Sequence, residues 1–237
     1  MILAVFARNV SIHSRPMRHV KVNYKTLTHT RPLGNKVYVL EAIRSLDEAI
    51  DDLCEVLTSD EQKDPFAEDL CPYFGILWPA AEALSLYLND HPKLVKNKTV
   101  LELGCGLGYP ALVATHLEGK VLATDYHPDV EEYFKRNLRH SSLHCDYMRL
   151  NWREDKQDIG LFDVVMGSDV LYENKHAREV AKGLIRFLKP GGKILLSDPG
   201  RNYLQLFLEA MKAEGFTEES ELIAIGDKEV FVFLFSK

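Results

Sequence analysis

The seven residues Glu102-Leu-Gly-Cys-Gly-Leu-Gly108 have the composition of a cradle for a nucleoside-type ligand. Glycine lets a backbone approach a ligand closely and adopt positive φ. A helix that begins just beyond such a turn offers unpaired N–H groups. Gly104, Gly106 and Gly108 make the turn, and Cys105 contributes its backbone. Twenty-one positions beyond Gly104, Asp125 ends the next apolar run, with Tyr126 beside it as a further candidate. An acid at that place accepts hydrogen bonds from both hydroxyls of a ribose. The plainer alternative is a tight turn followed by a solvated aspartate.

A dinucleotide fingerprint requires G-x-G-x-x-G. Here Tyr109 takes the sixth position and Pro110 follows it. Glu102 lies two residues before the first glycine, where a carboxylate attracts a cationic amine and repels a pyrophosphate. The segment therefore favours a cationic, phosphate-free nucleoside over a nicotinamide dinucleotide.

Such a turn needs a strand before it and a helix after it, and the chain supplies both. TVLELG (99–104) reads as a strand and ALVATHL (111–117) as a helix. KVLATD (120–125) is a second strand and VEEYFKRNLRH (130–140) a second helix. CDYMRL (145–150), LFDVVMGS (161–168) and KILLSD (193–198) are further strands. A helix over 179–188 places Val180, Leu184 and Leu188 on one face, and KPGG (189–192) ends it. The last helix spans 204–216. Strands 221–225 and 229–235 close the chain as a hairpin around Gly226-Asp227-Lys228. Strands alternating with helices predict a doubly wound, Rossmann-like α/β sheet of seven strands with the last one reversed.

Before residue 72 the pattern differs. Strands are expected over 19–28 and 36–43 with a turn at RPLGN (31–35), then a helix over 46–57 capped by Ser45. The acidic run 59–69 reads as a connecting loop. The expected division is an N-terminal β/α extension, residues 1–71, and a main α/β domain, residues 72–237. Another helix is expected over 77–88.

Composition bounds the rest. Of 237 residues, 29 are Lys or Arg and 35 are Asp or Glu, a formal net charge of −6. That balance argues against binding nucleic acid by bulk phosphate neutralisation. With 46% apolar and 27% charged residues, the chain is expected to be globular rather than disordered. Four cysteines without a Cys-x-x-Cys pair read as free thiols in a reducing compartment. The N-terminal apolar run stops at Phe6, short of the roughly 7–15 residues of a secretory core. No run approaches the ~20 apolar residues of a membrane span. A cytoplasmic location with no membrane partner is expected. His140, His144 and Cys145 lack further nearby ligands, so no metal site is expected.

Glu102–Gly108 resembles the first motif of the seven-strand, S-adenosylmethionine-dependent methyltransferases, and the fold order matches that class over 77–237. Three segments resemble one branch, which contains protein lysine methyltransferases and some histidine methyltransferases. Pro72-Tyr-Phe-Gly-Ile-Leu-Trp78-Pro79 is similar to its aromatic access segment. Leu150-Asn151-Trp152 is similar to its adenine-contacting segment, with Asn151 where aspartate is common. Ser168-Asp169-Val-Leu-Tyr172 is similar to its Asp-x-x-Tyr signature. Asp198-Pro-Gly-Arg201 is similar to small bacterial members. The resemblance implies S-adenosyl-L-methionine as cofactor. Trp78, Ser168, Asn151 and Trp152 join the glycine turn and Asp125 in holding it, with Trp152 near adenine.

Methyl transfer needs a nitrogen lone pair aligned behind the methyl carbon and water excluded. Asp169 and Tyr172 follow the fourth strand of the domain, at the ligand edge of the sheet. Asp169 is expected to orient an incoming amine by accepting its hydrogen bond, and Tyr172 to wall the channel and face a cation. The leading expectation is N-methylation of a protein lysine. A small-molecule amine as acceptor is one alternative, and a non-catalytic nucleoside-binding module another.

Overall fold

The computed structural model describes residues 21–58, 70–154, 158–172 and 176–237. The expected loop 59–69 and the first two residues of the expected strand 19–28 lie outside them. Seven strands form one sheet in the order β5-β4-β3-β6-β7-β9-β8. They are β3 (Thr99–Leu103), β4 (Lys120–Asp125), β5 (Asp146–Arg149), β6 (Phe162–Ser168), β7 (Leu188–Asp198), β8 (Thr217–Ile225) and β9 (Lys228–Ser236). The first five pair in parallel, and β9 lies antiparallel between β7 and β8. β1 (Thr26–Leu33) and β2 (Lys36–Ile43) form a separate antiparallel hairpin.

Side chains alternate across the sheet and build two cores. On one face Val100, Val164, Met166, Leu195 and Val232 pack with α2 (Pro79–Asp90), α3 (Tyr109–His116) and α4 (Val130–Ser141). On the other, Leu101, Leu103, Val165, Ile194 and Phe233 pack with α5 (His176–Arg186) and α6 (Leu204–Ala213). Residues one apart thus serve opposite faces, as a doubly covered sheet requires. Tyr38 and Leu40 of β2 join the first core, so the N-terminal hairpin shares a core with α2 and α3. Among the described residues no helix is long and apolar enough to cross a membrane.

Local chemistry sets the boundaries. Ser45 Oγ accepts the Glu48 N–H at 3.3 Å and starts α1 (Leu46–Val56), as its residue type predicts. The helix expected over 77–88 begins instead at Pro79. A residue before proline is driven from helical ψ, and Trp78 sits at ψ 143° as the N-cap. The expected turn at 31–35 narrows to Gly34-Asn35, because Arg31, Pro32 and Leu33 stay paired in β1. Pro32 is tolerated because a two-stranded ribbon has only edges.

KPGG does not simply separate helix from strand. Leu188 already pairs with Phe162, and Lys193 next pairs with Val164, so residues 189–192 bulge out of β7. Leu188 therefore leaves the helical face expected for it. The last helix ends at Ala213 rather than 216, and Phe216 instead buries beside the start of β8. β8 starts at Thr217, four residues earlier than expected, because its exposed Glu218, Glu219 and Ser220 hide the pattern of an edge strand. Ile225 pairs with Lys228, which shortens the final connection to two residues.

Candidate active site

The parallel strands β3, β4 and β6 end at one edge, and a cavity of about 390 Å³ opens there. That size lies within the roughly 300–1,000 Å³ of small-molecule sites. Trp78, Gly104, Cys105, Gly106, Gly108, Asp125, Tyr126, Asn151, Trp152, Ser168, Asp169 and Tyr172 all line it. Glu102 does not. It is wholly buried below the turn, and its carboxylate has no hydrogen bond of good geometry among the described residues, only the nearby Ala111 N–H. Burial pushes its carboxyl well above the usual glutamate range, with the Ala111 amide opposing this only in part.

The glycine turn is tight against its neighbours. Gly108 has φ +78° as the N-cap of α3, and a Cβ there would lie 2.2 Å from the Phe134 ring. A Cβ on Gly106 would lie 2.8 Å from the Phe74 carbonyl oxygen. Only a bare backbone fits between the 3-10 turn Pro72–Gly75 and the start of α3.

Asp125 ends β4 and pins this turn. Its Oδ2 accepts the Gly106 N–H and its Oδ1 the His127 N–H, each at 2.9 Å. Each oxygen retains a second lone-pair direction, enough for two hydroxyl donors. Burial raises the Asp125 carboxyl above the ordinary aspartate range, while the amides of His127, Gly106 and Tyr126 pull against it. His127 is fixed in turn: Nδ1 accepts the Asp129 N–H at 3.2 Å, so Nε2 donates to the Leu70 carbonyl at 3.2 Å. Its ring lies 4.3 Å from that of Phe74, centre to centre.

Just beyond β5, Asn151 Oδ1 accepts the Arg153 N–H at 3.1 Å and Nδ2 donates to Glu154 at 3.2 Å. Trp152 packs between the sheet edge and α5, and its Nε1 is buried without a partner among the described residues. Trp78 is committed to structure as well as lining: its Nε1 donates to the Tyr73 carbonyl at 2.9 Å. Tyr172 is exposed and its ring lies 6.2 Å from that of Tyr73.

Asp169 stands at the end of β6 with φ +56°, and its N–H donates to the Ser197 carbonyl at 3.0 Å. Its Oδ1 accepts Arg201 Nε at 2.6 Å. Arg201, Tyr73, Phe74, His127 and Arg153 also line the cavity and were not among the expected site residues. Tyr73, Phe74 and Arg201 stand in segments that the resemblance had marked, but nothing in the sequence flagged His127 or Arg153.

A sheet with one reversed strand inserted next to its edge, and a glycine cradle facing a strand-terminal acid, make up the fold of the class I S-adenosylmethionine-dependent methyltransferases. The 16S rRNA N2 G1207 methyltransferase of T. thermophilus, solved in complex with AdoMet and guanosine, shares this fold at a TM-score of 0.59 and 15% identity. It covers 90% of this chain, which matches 50% of that one. Within the class, a family model described as lysine methyltransferase matches residues 69–214, more than half of the chain. The chain belongs to that family.

The electron transfer flavoprotein beta subunit lysine methyltransferase of Xenopus laevis is 34% identical over 134 residues, 55% of this chain and 53% of that protein. Protein N-lysine methyltransferase METTL21A of Xenopus tropicalis is 30% identical over 144 residues, 58% of this chain and 66% of that protein. The chain spans about half the length of the first of these relatives.

Proposed function

We propose that this protein transfers a methyl group from S-adenosyl-L-methionine to a protein lysine side chain. The observation that carries the reading is one cavity shared by the glycine turn, Asp125, Asp169 and Tyr172. Family membership and the protein lysine methyltransferases among the relatives support it. What the cofactor supplies when bound is an electrophilic methyl group on a positively charged sulfur. Asp125 would receive the ribose hydroxyls, and Asn151 and Trp152 would contact adenine. Asp169 accepts a hydrogen bond from the acceptor nitrogen, and Tyr172 with Tyr73 forms the aromatic mouth that surrounds the lysine stem.

The start of the family match at residue 69 supports treating residues 1–71 as an extension of the catalytic domain. Four free thiols support a reducing, cytoplasmic setting.

Asp169→Ala tests the role directly. It should bind S-adenosylhomocysteine as the parent does and lose methyl transfer to lysate proteins, read by mass spectrometry. Undiminished transfer removes the proposed role, and label confined to metabolites replaces the protein acceptor with a small amine.

A further inference from the structure

An amine must shed a proton before it can attack, since a lysine ammonium has a reference pKa near 10.4. A lone buried carboxylate beside it works against that loss by stabilising the ammonium. Asp169 is not lone. Its side chain is 4% exposed, and Arg201 Nε reaches its Oδ1 at 2.6 Å. Among the described residues nothing donates to Oδ2. Both residues line the cavity.

The pair is braced from two strands. Asp169 is held at the end of β6 by its N–H to Ser197 of β7. Arg201 is held beyond the end of β7 by Asp198, whose Oδ1 accepts the N–H groups of Gly200 at 2.8 Å and Arg201 at 2.7 Å. Asp198 is wholly buried. Its position behind Arg201 adds a second acid to the same guanidinium. Around the pair, Tyr172 follows β6, Tyr73 comes from the 3-10 turn, Asp125 and His127 from the end of β4, and Arg153 from the segment after β5.

We infer that Arg201 is a positioning residue that holds Asp169 by one oxygen and offsets its charge, leaving the other oxygen to orient a neutral acceptor amine. This rests on the reading of the site as an N-methyltransferase centre. With the guanidinium in place, the ammonium gives its proton to water more readily, and the neutral nitrogen then donates one N–H to Asp169 Oδ2 while keeping its lone pair. Removing the positive charge takes away both the offset and a direct repulsion of the ammonium, so the acceptor's pKa rises.

The experiment compares pH profiles of kcat/KM for the wild type, Arg201→Gln and Arg201→Lys, on the acceptor found with the wild type. Arg201→Gln should move the acidic limb up by about one pH unit. Arg201→Lys, which keeps the charge without the fork, should recover most of that shift. S-adenosylhomocysteine affinity should change less than about threefold in both. A uniform fall in rate with an unmoved profile, or no change at all, overturns the inference. A second readout needs no turnover: the Arg201 Nε–H proton should exchange slowly by NMR in the wild type and fast in Asp169→Ala. If the wild type methylates nothing, the methyltransferase reading fails. Slow exchange that persists in Asp169→Ala overturns the pair itself.

Discussion

Asn137 of α4 donates its Nδ2 to the Leu107 carbonyl, inside the glycine turn, at 3.1 Å. The same wholly buried amide binds the N-terminal hairpin: its Oδ1 accepts the Glu41 N–H at 2.7 Å and its Nδ2 also donates to the Glu41 carbonyl at 3.3 Å. One side chain thus couples β2 to the cradle. Asn137→Ala strands buried backbone groups on both, at about 1–3 kcal/mol each. Calorimetry should show the melting temperature falling by at least about 6 °C, at about 2–4 °C per kcal/mol. Amide exchange in β2 should accelerate more than in β6. An unchanged melting point contradicts the coupling.

Gly108→Ala sets a Cβ into the Phe134 ring at a backbone φ of +78°. Overpacking of a core costs about 1–3 kcal/mol, and a left-handed residue about 1–2 more. Chemical denaturation should register a loss of at least about 2 kcal/mol, together with weakened cofactor binding. Parent-like stability would mean that the turn and α4 are not in contact.

Glu102 gives a pH test with a definite sign. Its folded-state carboxyl is raised above its unfolded value, so the folded state holds a proton that the unfolded state has released. Stability therefore declines as pH rises above the ordinary glutamate pKa of about 4.3, and continues to decline until the folded carboxyl itself ionises. Glu102→Gln removes this dependence. The variant should match the parent near pH 4 and exceed it in stability near pH 8. A variant less stable at pH 8 than at pH 4, relative to the parent, means that the carboxylate is charged and paired.

Asp163 carries the opposite sign. Its carboxyl is lowered to about 2 by the Thr99 N–H, the Thr99 hydroxyl and Lys189, which reaches it at 3.0 Å. Its contribution is present above the ordinary aspartate pKa of about 3.9 and fades as pH falls toward 2. Asp163→Asn should lower stability at pH 6 and lose less than the parent does between pH 4 and pH 2. Parallel acid-unfolding curves for the two proteins would remove this link from β6 to β3 and to the bulge in β7.

The elements that position the site were legible where one residue type forces one geometry. Ser45 capped its helix and the glycine run formed the turn. The alternation of strands and helices gave a parallel sheet because each strand had to be buried on both faces. Boundaries failed where a polar edge hid a strand, as at Glu218–Ser220, or where proline reset a helix start, as at Trp78-Pro79. Arg201 was visible in its segment but not as the partner of Asp169, because 32 positions separate them and only the adjacency of β6 and β7 joins them. Glu102 was expected to reach the ligand's amine. It faces the α3 side of the sheet instead, since its neighbours Leu101 and Leu103 take the opposite face.

The sugar of an adenosyl sulfonium is expected on Asp125, above residues 104–108. Isothermal titration of the wild type and Asp125→Ala with S-adenosylhomocysteine tests it most directly. The wild type should bind one equivalent, and the variant at least 100-fold more weakly, about 2.7 kcal/mol. Equal affinity in the two proteins, or no binding by the wild type, contradicts the account.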